Sequence, residues 1–108
     1  MSSSESNPYG LTLGQITAIR EVFRRHVKIG KAILYGSRAK GNYRAGSDID
    51  LTLQGEDLSF SDLAHIANEL DDLLLPFNID LSILHSIENP DLIAHINRVG
   101  VDFYVKDE

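Results

Sequence analysis

Asp48 and Asp50 stand one residue apart in the run Ser-Asp-Ile-Asp-Leu-Thr-Leu-Gln. The alternating Ile49, Leu51 and Leu53 predict a strand from Asp48 to Gln54, and side chains on a strand point to opposite faces in turn. Both carboxylates then project to one side and the aliphatic residues to the other. Two like charges held so close are unfavourable unless a cation lies between them, and oxygen-only ligands suit a hard ion such as magnesium. A third acid, Asp80, falls in mid-strand, where Phe77, Ile79, Leu81 and Ile83 alternate with Asn78, Asp80 and Ser82. Aspartate is depleted in strands, so an acid there has hydrogen-bond donors, a cation or open solvent at a sheet edge to account for it.

Upstream of the acids lies Tyr-Gly-Ser-Arg-Ala-Lys-Gly, residues 35–41. Gly36 allows close backbone approach, and Ser37 opens a segment whose free amides and hydroxyl could hold phosphate oxygens. Arg38, Lys40 and Arg44 add positive charge nearby. A phosphate cradle beside a metal-binding pair is the chemistry of a nucleoside triphosphate carried with magnesium.

The spacing of Gly36-Ser37, ten residues, Asp48, one residue and Asp50 resembles the signature of the nucleotidyltransferase superfamily related to DNA polymerase beta. Asp80 matches the third aspartate of that superfamily. The resemblance implies an α/β (α+β) fold, a mixed central sheet flanked by helices. It also implies that Gly36 and Ser37 bind the triphosphate, with Arg38 and Lys40 placed where they could contact its outer phosphates. Asp48 and Asp50 would ligate two Mg2+ ions, and Asp80 would complete the site on the acceptor side as ligand and general base. ATP is the implied substrate.

The order of elements looks like the minimal nucleotidyltransferases, antitoxins encoded beside small helical HEPN toxins, some of which transfer AMP to a tyrosine of the toxin. The implied partner is a HEPN-type protein, in a heterotetramer or beside a homodimer. Two other readings stand beside it: a non-catalytic nucleotide-binding antitoxin, and a transferase for a small acceptor such as an aminoglycoside. The aminoglycoside enzymes carry an added helical domain. The expectation here is that none follows Glu108, which favours an acceptor supplied by a partner chain.

Composition bounds these readings. The chain has 108 residues, 43% hydrophobic, with no cysteine and a formal charge of -6. One domain is expected over residues 11–108, after a flexible tail at 1–10. Disulfides and thiolate metal sites are excluded, and no apolar run suits a signal peptide or a membrane span, so a cytoplasmic protein is expected. The acidic balance argues against general binding to nucleic acid. Eight basic residues stand against two acids through Arg44, and two against fourteen beyond it. Arg20, Arg24 and Arg25 read as solvated surface.

The positioning elements follow from periodicity and caps. Thr12 and Gln15 form a capping box for a helix from about Leu13 to His26. Ala32–Tyr35 reads as a buried strand, Ser37–Lys40 as one helical turn ended by Gly41, and Asn42–Ser47 as a polar turn. Ser59 or Ser61 caps a second helix whose stripe runs from Leu63 to Leu74 before Pro76. Asn89-Pro90 starts a third, stopped by Gly100, and Val101–Val105 closes the chain as a strand. Tyr43 reads equally as a base-stacking residue or an exposed loop tyrosine. His26 reads as a partner of the helix C-terminal dipole or a surface residue, and His85 and His95 as surface or core-edge residues.

Overall fold

A computed structural model describes residues 8–107. Its elements are α1 (Leu13–Arg24), β1 (Lys31–Tyr35), α2 (Ser37–Lys40), β2 (Ile49–Gln54), α3 (Phe60–Asp71), β3 (Ile79–Ile83), α4 (Pro90–Val99) and β4 (Val101–Val105). Most of the expected tail, residues 1–7, lies outside the described residues. Pro8–Gly10, assigned to that tail from sequence, instead forms a 3-10 turn, and the Tyr9 ring packs at 6.4 Å from Phe103. The fold therefore begins by Pro8.

The four strands run in the order β3-β2-β1-β4. β1 is antiparallel to β2 and to β4, whereas β2 and β3 are parallel. The sheet is thus mixed, and the parallel pair is joined by the crossover helix α3, as such pairs require. Ala32 and Leu34, with Leu51, Leu53 and Ile83, cover one face and join Ile16, Ile19, Val22, Phe23, Ile66 and Leu70 of α1 and α3 in one core. A register shift between β1 and β4 allows the consecutive Phe103 and Tyr104 both to be buried, as the extra residue of a bulge permits.

Local signals place the helices. Thr12 Oγ1 accepts from the Gln15 amide while Gln15 Oε1 accepts from the Thr12 amide. Ser59 and Asp62 make the same reciprocal box at α3, and Asn89 caps α4 with Pro90 in its first turn. Each box is worth about 1 kcal/mol. Gly41 ends α2 at φ 92°. α3 stops at Asp71, before the end of its apolar stripe. Leu74, two residues ahead of Pro76, takes a left-handed conformation (φ 55°) and is 87% exposed. Arg20 is exposed as expected, yet its Nε donates to the Phe103 carbonyl at 2.8 Å and its guanidinium lies over the Phe103 ring.

Candidate functional site

β2 and β3 bring two of the three acids together. Asp50 and Asp80 are register partners across the parallel pair, and Asp50 is also opposite Tyr35 of β1. Register partners share a face, so Tyr35, Asp50 and Asp80 form one row on the side away from the α1–α3 core. The next row holds Ile33, Thr52 and Ser82. Asp48 sits just outside the ladder, since β2 starts at Ile49, whose amide donates to the Asn78 carbonyl. Asp48 and Asp80 are exposed and Asp50 is half-buried.

Burial pushes the Asp50 carboxyl above the usual carboxylate range, and the Asp80 and Asp48 carboxylates push it further. All three charges therefore act on one place. Burial likewise raises the Tyr35 hydroxyl; a hydrogen bond with Ser82 opposes this, and Asp50 and Asp80 add to the rise. These oxygen donors have the chemistry for a hard cation, and their mutual repulsion is what a cation would relieve. Among the described residues, however, no three His, Asp or Glu side chains are already gathered as a metal cluster. Asp50 and Asp80 face each other in register, with Asp48 just outside the ladder. Thr52 Oγ1, on the same face, is buried with no hydrogen-bond partner among the described residues.

The Gly-Ser segment lies against this row. Gly36 adopts φ 78° and ψ -157°, a region accessible essentially to glycine alone. A Cβ built there would stand 2.2 Å from Asp50 Oδ2, so the bare Gly36 Cα is what admits the carboxylate. Ser37 is half-buried at the start of α2, and Lys40 is exposed at its end.

Arg38 is placed differently from the sequence reading. It is 2% exposed, and its Nε and Nη2 donate to the Ser47 carbonyl at 3.0 and 2.7 Å, while Nη1 donates to Tyr9 O at 2.8 Å. Phe77 and Tyr43 face the guanidinium at 4.9 and 5.4 Å. Burial lowers its pKa, against the opposing pull of Tyr43 and Asp48. Arg38 thus ties the 42–48 loop to the Pro8–Gly10 turn, immediately before Asp48. Tyr43 is engaged in the same cluster and is neither an open stacking platform nor an exposed loop tyrosine.

His95 was not singled out from sequence as a site residue. Its Nε2 accepts the Gly36 amide at 3.2 Å, and its ring meets Tyr35 edge-on at 6.1 Å. The available signal was its place beside Ile96 at the margin of the α4 apolar stripe, where a side chain faces the sheet. A surface depression of about 890 Å³ lies at the other end of the strands, around Lys28, Lys31, Gln54, Glu56, Asp57 and Lys106, and shares no residue with the acids. Its charges are mixed.

The family model described as "Polymerase beta, Nucleotidyltransferase" matches residues 17–108. The chain belongs to this nucleotidyltransferase family. No curated protein matches significantly. Among solved structures, the nucleotidyltransferase superposes on a chain of a toxin-antitoxin crystal structure with AMP-PNP. The TM-score is 0.69 at 23% identity, over 85% of this chain and 74% of that one. A chain from the toxin-antitoxin MntA-HepT matches with TM-score 0.64 at 21% identity, over 88% of this chain and 74% of that one. A chain from the tri-AMPylated Shewanella oneidensis HEPN toxin in complex with MNT antitoxin matches with TM-score 0.64 at 21% identity, over 85% and 71%. At these identities the neighbours establish the polymerase beta-like fold of the nucleotidyltransferase.

Proposed function

We propose that this nucleotidyltransferase moves a nucleoside monophosphate, AMP from ATP, onto a hydroxyl of a partner protein, as the antitoxin of a HEPN-type toxin. The observation that carries the reading is the in-register pair Asp50 and Asp80, with Gly36 closed against Asp50. Phosphate turn and acids thereby become one site. The toxin-antitoxin neighbours, one bound to AMP-PNP and one tri-AMPylated, support the donor and the acceptor class. A cytoplasmic location and a complex of more than one chain belong to the same reading. Among the described residues no helix is long and apolar enough to cross a membrane.

In this scheme the Ser37 hydroxyl and the first amides of α2 take phosphate oxygens, and Lys40 supplies exposed positive charge beside them. Arg38 positions the loop that carries Asp48. Asp80, exposed at the row's end, accepts the proton of the incoming hydroxyl as its oxygen bonds to the α-phosphorus and pyrophosphate leaves. Asp48, Asp50 and Asp80 would hold magnesium, which when bound supplies charge neutralisation for the triphosphate and acidifies the attacking hydroxyl.

A second reading is a nucleotide-binding antitoxin that neutralises its partner by covering it. Co-expression of the chain with a HEPN partner, followed by intact-mass analysis, separates the two. Addition of AMP to the partner, lost in Asp48→Asn, supports transfer. An unmodified partner still neutralised by Asp48→Asn overturns transfer in favour of the binding module.

A further inference from the structure

We infer that His95 is a positioning residue that sets the Gly36-Ser37 turn, linking α4 to nucleotide affinity. The consequence for affinity rests on the nucleotidyltransferase reading above; the positioning itself does not. A backbone amide can only donate, so the Gly36 N–H at 3.2 Å from Nε2 requires a lone pair on that nitrogen, which in the neutral ring leaves the proton on Nδ1. The Gly36 amide is therefore occupied. What Gly36 contributes to the site is its missing side chain and its backbone angle.

That angle is fixed from two sides. The bond to His95 sets the orientation of the Tyr35–Gly36 peptide, and Asp50 Oδ2 occupies the space that any Cβ at Gly36 would need. Tyr35 then braces the imidazole edge-on. α4 in turn is seated on β1 by the close packing of Gly100, where a Cβ would stand 2.8 Å from Ile33 Cγ2 and 2.4 Å from the Ile96 carbonyl. Without the acceptor, the peptide can rotate at a residue with glycine's wide freedom, and the start of α2 and Asp50 lose a common reference. Such misplacement weakens ligand positioning before it alters the reacting groups.

Two variants separate the acceptor from the ring. His95→Phe keeps an aromatic edge toward Tyr35 and has no acceptor, whereas His95→Gln offers a carbonyl oxygen near the place of Nε2. Amide hydrogen exchange of Gly36, followed by NMR in the nucleotide-free protein, reads the hold directly. Calorimetry with ATP and magnesium reads its consequence. His95→Phe is expected to exchange Gly36 at least about tenfold faster and to bind ATP about tenfold more weakly, with His95→Gln recovering most of both. Unchanged Gly36 exchange in His95→Phe overturns the proposal, as does a His95→Gln variant no better than His95→Phe. If exchange responds as expected and the wild-type chain binds no ATP, the hold is supported and the proposed transfer of AMP from ATP is the reading that fails.

Discussion

Burial, then the Asp80 and Asp48 carboxylates, raise the Asp50 carboxyl above the usual range, so ionising it at neutral pH costs the folded state stability. For an acid raised in the fold, that cost is absent below the unfolded value, grows through the window between the unfolded and folded values, and is full above it. Asp50→Asn removes the charge and leaves the shape. In chelator at pH 7 its melting temperature should exceed wild type by about 2–5 °C, the gain vanishing as the pH falls to the acid side of the window, while transfer falls at least about a hundredfold. Thermal melts across pH check the first part. A variant less stable than wild type at pH 7 would contradict it. Arg38 tests a different assignment. If it holds the loop through Ser47 O and Tyr9 O, Arg38→Lys loses the forked geometry and should destabilise by about 2–3 kcal/mol in urea denaturation. An arginine serving only phosphate would leave the urea midpoint unmoved.

Asp62 at the head of α3 has the opposite sign from Asp50. The Ser59 backbone amide, then Lys28, hold its carboxyl below the usual range, so its contribution is present above the unfolded value and lost as pH falls through the folded one. The difference in melting temperature between wild type and Asp62→Asn should be full at pH 7 and close below about pH 4, measured at constant ionic strength. A gap that persists in acid would assign the cap to uncharged hydrogen bonding. At this cap the sequence offered Ser59 or Ser61 and did not single out Asp62, whereas Thr12 and Gln15, Asn89-Pro90, and the alternation that set Asp50 and Asp80 facing away from the core were legible because their partners stand within three residues. Roles fixed across the fold were less legible. Arg38 lies under a turn twenty-nine residues upstream, and His95 meets Gly36 across fifty-nine; no local pattern encodes either approach. Asp48 failed as a strand residue for a related reason: its place depends on where the β2–β3 ladder begins.

At the scale of the molecule, the charge distribution supplies both a function and a competing explanation for it. The formal charge is -6, and fourteen acids against two basic residues lie beyond Arg44. Any salt will therefore relieve some self-repulsion, and a stabilising effect of magnesium has meaning only against sodium chloride of equal ionic strength. A cation that binds the folded chain alone stabilises it by about 2.7 kcal/mol at a hundredfold excess over its Kd. For a domain of this size that is a rise of about 10–20 °C. The wild-type chain should show such a rise in magnesium beyond the matched salt, and ATP should add to it only when magnesium is present. The double variant Asp50→Asn, Asp80→Asn, lacking the in-register pair, should melt identically in both salts. Equal responses of wild type and double variant would assign the effect to general screening and remove the acidic row as the metal site, whereas stabilisation by ATP in chelator would separate nucleotide binding from the metal and leave Ser37 and Lys40 to account for it.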